Sequence, residues 1–291
     1  MFAATFFWGT AATLARFIFH DLHVAPLDAV ELRLAISVVL LAPWIFRHDR
    51  AHFLPRRKDI GYFVVLGVAG VAAVQVSYYT SVSNLGVGLA ILIQYLAPTL
   101  IVLYDWARGR RARAATVAAL AGALAGTALL VGGVDRQALH ATPAQWAVSF
   151  SSAFFFAFYV VFSKRALDRY PPMPVLLYTF TIAVTALALV HPPAQILRAH
   201  YGPGTWALFG VLGVFSALVP FALFYTGLRD LAPAEAGILA TLEPLVAVLS
   251  AGVFLGEGLR PLQWLGAVLV LAAAIIASRS RAAAPPAAGP P

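Results

Sequence analysis

Cysteine is absent from this 291-residue chain, which excludes disulfides, thiolate metal sites and cysteine nucleophiles. Charged residues are scarce as well, at 11% of the chain, whereas an average soluble domain contains about 25%. Hydrophobic residues make up 61%, so a soluble fold would have too few polar side chains to cover its surface. This composition predicts an all-α polytopic membrane protein.

Sequence motifs for nucleotide, metal or covalent chemistry are also missing. The chain has no phosphate-binding Walker loop, no nucleophile elbow and no HExxH zinc-protease pattern. Its seven histidines lie in or near predicted loops, without metal-ligand spacing on a helix, so we expect no metal and no cofactor. A membrane enzyme would need clustered catalytic side chains, and a scaffold would need longer loops. We therefore expect neither function.

Long apolar runs fill the chain instead. A membrane-crossing helix needs about 20 mostly apolar residues, and the sequence contains ten such runs. They are residues 2–19, 26–46, 60–80, 86–105, 114–133, 144–163, 173–190, 205–227, 233–254 and 262–278. No cationic leader precedes the first run, so instead of a cleaved signal peptide we expect either a retained span or a sequence that starts a few residues late. The tail, 280–291, is rich in proline and alanine and is predicted to be disordered.

Lysine and arginine are unevenly distributed over the connecting loops. Fifteen of the 20 lie in alternate loops, most densely in 47–59 and 106–113, whereas three lie in the intervening loops. Basic residues concentrate in cytoplasmic loops of membrane proteins. The pattern thus predicts ten spans in a bacterial inner (plasma) membrane, with both termini cytoplasmic. The net charge of +8 is explained in this way, and we expect no nucleic-acid partner.

The sequence around Pro98 resembles the sequence around Pro244, 146 residues later. Each proline follows one leucine-rich half-helix, precedes another, and is followed by one further span. The chain therefore divides into two halves of five spans, 1–133 and 143–279. Because five is odd, the second half must enter the membrane from the opposite side. Such inverted repeats are a common architecture of secondary transporters.

Several fragments, in this order, resemble ten-span EamA-type members of the drug/metabolite transporter superfamily. They are FFWGT, VELRLA, ILIQYLAPTLIVLY, ATLEPLVAVLSAGVFLGE and WLGAVLVLAAAII. The resemblance implies a central cavity lined by the first four helices of each half, a peripheral fifth helix, and alternating access that often serves metabolite efflux. The first half reads RGRRAR where the second reads FLGEGL. Any role for Glu257 that requires a symmetric partner is therefore weakened.

Glu243 is the leading candidate for a functional side chain. At 1.5 Å per residue it lies about 16 Å into the ninth span, near the midplane, where a charge costs about 2.5–3.5 kcal/mol. Pro244 removes a backbone donor at this depth and frees the carbonyl of Ala240. Glu243 could therefore bind substrate and carry a coupled proton. Alternatively, it could pair with a cation or hydrogen-bond a neighbouring helix without meeting substrate.

Arg33 is the second candidate, because it falls within the second predicted span. Its guanidinium could bind a substrate carboxylate in bidentate fashion, or it could neutralise Glu243. Alternatively, it could pair with Asp28 or Glu31, or extend to the membrane interface.

Polar and aromatic side chains in other spans form a third group of substrate-binding candidates. Such side chains can stack on a small organic molecule and hydrogen-bond it, although interhelical packing would also explain many of them. The group comprises Trp8, Gln75, Tyr78, Tyr79, Gln94, Tyr95, Tyr159 and Tyr225. Predicted hinges for alternating access are Pro98, Pro220 and Pro244.

Small residues recur at every fourth position of the fifth span, at Ala118, Gly122 and Gly126. This spacing permits close approach of helices, within one chain or across a homodimer. The sequence therefore leaves monomer and homodimer open, with packing inside one chain favoured.

These features predict a secondary transporter with lipid and a small-molecule substrate as its partners. The resemblance implies that it exports amino acids or related small metabolites by alternating access, and Glu243 suggests proton coupling. Uptake and uncoupled facilitated diffusion are the alternatives within transport.

Overall fold

Helices make up nearly all of the chain that this computed structural model describes. The described residues are 1–20, 22, 24–132, 140–255 and 259–282, and none of them lies in a β-strand. The fold is therefore all-α, as the composition predicted. Glu257 and the tail residues 283–291 lie outside the described residues.

Nine helical segments within this part of the chain are long and apolar enough to cross a membrane. They are α2 (Pro26–His48), α3 (Arg57–Leu85), α4 (Val87–Ala107), α5 (Ala114–Val131), α6 (Pro143–Leu167), α7 (Pro172–Val190), α8 (Pro203–Asp230), α9 (Pro233–Phe254) and α10 (Pro261–Arg279). Helix α1 (Phe2–His20) precedes them, and a short helix, Pro193–Arg198, lies between α7 and α8. All nine lie where apolar runs predict spans. Helix α1 occupies the position of the other run, and its role as a tenth span stays a prediction.

Helices α4 and α9 are interrupted at corresponding places. In α4 the helix ends at Gln94 and resumes at Ala97, and in α9 it ends at Ala240 and resumes at Leu242. Each interruption comes shortly before a proline, Pro98 or Pro244. Proline has no N–H, so the carbonyl four residues earlier loses its usual helical donor.

Helices α3 and α8 share a second irregularity, which the sequence analysis did not predict. Each contains a π-helical segment, Leu66–Ala72 in α3 and Gly213–Leu218 in α8. The two segments begin 147 residues apart, close to the spacing of the two prolines. The predicted hinge Pro220 lies just after the second segment, in helix Val219–Asp230.

Two close glycine–isoleucine contacts join the halves, and they occur at equivalent positions of the two halves. A Cβ atom added to Gly67 would lie 2.6 Å from Ile182, and one added to Gly213 would lie 2.6 Å from Ile36. The two glycines are 146 residues apart, and so are the two isoleucines. Reciprocal contacts of this kind arise at a two-fold interface. Glycine is required at both places, because a side chain would overlap the isoleucine.

Helices α5 and α10 pack closely against each other, through small residues. A Cβ atom added to Gly126 would lie 2.8 Å from the Gly266 carbonyl oxygen, and one added to Gly266 would lie 2.7 Å from that of Gly126. Gly122 faces Ala273 of the same helix pair. Gly122 and Gly126, two of the small residues spaced four apart in the fifth span, therefore pack against another helix of the same chain.

A buried polar cluster connects α2 to the segment after α7. His191 lies between two carboxylates, with Nε2 3.1 Å from Asp28 Oδ1 and Nδ1 3.2 Å from Glu31 Oε2. Tyr201 donates to Asp28 Oδ2 at 2.6 Å. Burial and this hydrogen bond raise the pKa of the Tyr201 hydroxyl to about 12, so it is protonated at neutral pH and can donate. The two carboxylates thus pair with His191, and among the described residues the structure gives no ion pair between Arg33 and either of them.

Replacing His191 with alanine is expected to lower the free energy of unfolding by about 1–3 kcal/mol, because buried acceptors on Asp28 and Glu31 lose a donor. Thermal unfolding in detergent measures this loss. His140→Ala is the matched control, since His140 is exposed and should change the melting temperature little. Equal melting temperatures for the two variants would contradict a stabilising role of the cluster.

Candidate functional site

A cavity of about 100 Å³ lies inside the helix bundle, well above the roughly 10–15 Å³ that one water molecule needs. It is bounded by Trp8, Arg33, Gly70, Val71, Val74, Gln75, Tyr78, Tyr79, Gln94, Phe156, Tyr159, Phe221 and Glu243. These residues come from α1 to α4 and from α6, α8 and α9. Helices α5 and α10, the last of each predicted half, contribute none of them.

Eight of the ten predicted binding residues lie around this cavity. They are Trp8, Arg33, Gln75, Tyr78, Tyr79, Gln94, Tyr159 and Glu243. They converge because a polar side chain in an apolar helix is stable where it faces the bundle interior rather than lipid. Their role in binding substrate stays a prediction.

Tyr95 and Tyr225 do not line the cavity. Tyr95 is buried and contacts Glu243 with its hydroxyl. Tyr225 stacks on Tyr159, with ring centroids 5.9 Å apart, and its hydroxyl lies 3.3 Å from Ser163 Oγ. Direct contact between either tyrosine and a substrate in this cavity is therefore not expected from this geometry.

The sequence did not single out the apolar wall of the cavity, which consists of Gly70, Val71, Val74, Phe156 and Phe221. Helical spacing could have identified part of it. Val71 lies four residues before Gln75, Val74 lies four before Tyr78, and Phe156 lies three before Tyr159, so each shares a helix face with a predicted residue. Phe221 likewise lies four residues before Tyr225, a predicted residue that does not itself line the cavity.

Arg33 is held in place by residues of other helices. Its Nη2 donates to Gln75 Oε1 at 2.7 Å, and its Nη1 lies 3.5 Å from Ser216 Oγ. The guanidinium carbon lies 5.5 Å from the ring centroid of Tyr79, a cation–π distance. The Arg33 Nε–H is buried and has no hydrogen-bond partner among the described residues. The guanidinium is therefore fixed in position and retains an unused donor.

Gln94 also lines the cavity and has a side-chain acceptor without a partner in the described part of the chain. This acceptor, Oε1, is buried. A buried donor or acceptor without a partner costs about 1–3 kcal/mol. Arg33 and Gln94 together therefore favour a ligand that brings both an acceptor, such as a carboxylate, and a donor, such as an ammonium or hydroxyl group.

Glu243 both lines the cavity and bonds a neighbouring helix. Tyr95, at the interruption of α4, places its hydroxyl oxygen 2.8 Å from Glu243 Oε2 and 2.9 Å from the Ala240 carbonyl oxygen. The hydrogen bond to a neighbouring helix that the second interpretation predicted is present, and contact of Glu243 with substrate stays a prediction. The Glu243 carboxyl group reaches the cavity and is also positioned by a hydrogen bond.

Aromatic rings form one side of the cavity and its surroundings. Trp8 packs edge-on against Phe221, with ring centroids 5.0 Å apart, and Phe156 stacks on Tyr159 at 6.1 Å. With Val71 and Val74 they give an apolar surface beside the polar groups. Such a mixture suits a small molecule with a charged end and an apolar or weakly polar remainder.

Comparisons with known proteins find membrane transporters. The model of the EamA-like transporter family matches residues 1–132 and again 145–279. The chain is 27% identical to the "uncharacterized inner membrane transporter YicL" of Salmonella typhimurium, over 96% of both chains. It is 26% identical to the "threonine/homoserine exporter RhtA" of Escherichia coli, over 91% of this chain and 85% of that protein.

A protein of known crystal structure shares the fold. Its TM-score to this chain is 0.77, with 97% of this chain and 96% of the other covered. The sequence identity is 20%, so this likeness supports the fold alone.

Water access to the cavity can be measured directly on this cysteine-free chain. We expect Val74→Cys, in the cavity wall, to react with a water-soluble thiol reagent at least about tenfold faster than Val76→Cys, because the reactive thiolate forms in water and is disfavoured in apolar surroundings. Val76 is the matched control, since it lies on the same helix and is exposed on the outer face of the bundle. Equal labelling rates in membranes would contradict a hydrated cavity.

Proposed function

The chain belongs to the EamA-like transporter family, and from this premise we propose that it exports amino acids or related zwitterionic metabolites across a bacterial inner membrane. The observation that carries the proposal is the cavity chemistry. One buried space is lined by Arg33, whose Nε–H has no hydrogen-bond partner among the described residues, by Gln94, whose Oε1 has none there either, and by Glu243. A zwitterion would satisfy these groups together.

Each part of such a substrate has a plausible partner in the cavity. The substrate carboxylate would accept from the Arg33 Nε–H, a charge-assisted bond that is stronger than a neutral one. The ammonium group would donate to Gln94 Oε1 or to the Glu243 carboxylate. The substrate side chain would lie against the apolar wall near Val71 and Val74. The relative named a threonine/homoserine exporter supports this substrate class at low identity.

The proposed transport cycle is alternating access by two inverted halves, 1–133 and 143–279, with α1 as the tenth span. Support comes from the paired interruptions of α4 and α9 and from the reciprocal contacts of Gly67 and Gly213. The uneven loop distribution of lysine and arginine supports cytoplasmic termini. Pro98, Pro220 and Pro244 are the proposed flexing points.

Glu243 is proposed to carry the coupled proton. It is the acidic side chain among the residues lining the cavity, and a proton there can exchange with water that enters from either side. In a protonated state it would present no charge to the substrate, whereas in an ionised state it would attract the ammonium group. Substrate and proton would thus compete for one carboxyl group, which links their movements.

Arg33→Gln is expected to weaken binding and transport of threonine about ten- to hundredfold, because a hydrogen bond to a charged group contributes about 1.5–3 kcal/mol. Uptake of labelled threonine into liposomes containing the purified protein measures the effect. The exposed Arg198→Gln is the control for loss of charge alone. An amine that lacks the carboxylate should bind the wild type and Arg33→Gln equally. A wild type that moves no amino acid under any gradient would disprove the proposed function.

Glu243→Gln is expected to keep substrate exchange while abolishing movement driven by a pH gradient, because the amide cannot release a proton. Counterflow at uniform pH and gradient-driven flux in the same liposomes separate these two activities. Retention of wild-type pH dependence by Glu243→Gln would remove this residue from coupling and favour another carrier or uncoupled diffusion.

A further inference from the structure

Tyr95 connects the carboxyl group of Glu243 to the interruption of α9. We infer that Tyr95 is a positioning residue that transmits the protonation state of Glu243 to this interruption, by donating its single hydroxyl proton either to Glu243 or to the Ala240 carbonyl. The inference rests on the proposed role of Glu243 as the proton carrier.

The geometry allows two exclusive arrangements. The Tyr95 hydroxyl oxygen is 2.8 Å from Glu243 Oε2 and 2.9 Å from the Ala240 carbonyl oxygen, and the side chain is buried. A tyrosine hydroxyl has one proton, although its oxygen can also accept. Both acceptors are therefore within reach, but the hydroxyl proton serves one of them at a time.

Ala240 is the residue whose carbonyl Pro244 leaves without its usual helical donor. The first half of α9 ends at Ala240, and the Thr241 N–H bonds back to the Ile238 carbonyl at 3.1 Å. Because the Ala240 carbonyl is buried deep in the span, a side-chain donor stabilises the interrupted conformation. Tyr95 can supply that donor from a different helix.

When Glu243 carries a proton, both bonds can form together. The carboxyl O–H donates to the Tyr95 oxygen, and the Tyr95 hydroxyl donates to the Ala240 carbonyl. When Glu243 is ionised, its carboxylate is the stronger acceptor, so the Tyr95 hydroxyl donates its hydrogen bond to Glu243 instead. The Ala240 carbonyl then loses this donor, which is unfavourable in a buried place. Loss of the proton thus releases the interruption of α9 to rearrange.

Tyr95 itself lies in the interruption of α4, after helix Val87–Gln94. The same two regions also pack directly, since a Cβ atom added to Gly237 would lie 3.0 Å from Pro98 Cγ. The Tyr95 hydroxyl therefore joins the irregular segments of both halves. A conformational change at the interruption of α9 is therefore expected to alter the conformation of the interruption of α4.

Other charged and titratable groups also face the cavity around Glu243. They are Arg33 from α2, Tyr78 and Tyr79 from α3, and Tyr159 from α6. Arginine stays protonated in proteins. Tyr95 contacts Glu243 directly, through a hydroxyl that also reaches the Ala240 carbonyl. It is thus positioned to respond to the proton on Glu243.

Distance measurements on the cysteine-free chain test this inference. Spin labels at Arg108→Cys and Asp230→Cys, both exposed positions beside α4 and α9, report their relative movement. We expect the distance distribution of the wild-type background to shift with pH, and Tyr95→Phe to lose that shift. Tyr62→Phe is the matched control, because Tyr62 also donates to a backbone carbonyl across helices, that of Phe162 at 2.6 Å. It should retain the shift.

Infrared spectroscopy provides a second readout. The carboxyl band assigned to Glu243 by its loss in Glu243→Gln should titrate with the same midpoint as the distance shift, and Tyr95→Phe should move this band. The wild-type comparison of midpoints needs no folded Tyr95 variant.

Three results would overturn the inference. They are a wild-type distance that does not change with pH, separate midpoints for band and distance, and a Tyr95→Phe variant that keeps the wild-type shift. An absence of amino-acid flux, as described above, would instead contradict the proposed substrate class. It would leave this inference unaffected, because both spectroscopic measurements are made without substrate.

Discussion

Inside the bilayer, backbone N–H and C=O groups must be hydrogen-bonded within the protein and polar side chains must face its interior, and this constraint governs the rest of the structure. A cavity that contains Arg33 and Glu243 is stable because seven helices enclose it and polar side chains such as Gln75 and Tyr95 bond the charged ones. Each proline also leaves one backbone carbonyl without its helical donor, and this carbonyl needs another hydrogen-bond donor within the protein. Polar chemistry and irregular backbone therefore occur together in the centre of the bundle.

The features that the sequence predicted well follow from this constraint. Span length is fixed by the thickness of lipid, so apolar runs locate helices closely. Polar residues in those runs have to face inward, which is why Gln75, Tyr78 and Gln94 could be grouped before their positions were known. Pro98 and Pro244 located the interruptions because each removes a backbone donor.

Partners far apart in the sequence could not be predicted in the same way. His191 bonds Asp28 and Glu31 from about 160 positions away, and no local pattern indicates such a pairing. Tyr95 was predicted to meet substrate, but it lies behind Glu243, since inward orientation alone does not distinguish a cavity wall from the layer beneath it. The π-helical segments of α3 and α8 likewise contact residues far away in the sequence, through Gly67 and Gly213.

The central claim is that the cavity binds a zwitterion between Arg33 and Gln94. An experimental structure of the protein with bound threonine tests it most directly. The account predicts ligand density in the cavity, with the carboxylate within hydrogen-bond distance of Arg33 Nε and the ammonium group near Gln94 or Glu243. Density outside the cavity, or a carboxylate directed away from Arg33, would contradict the account.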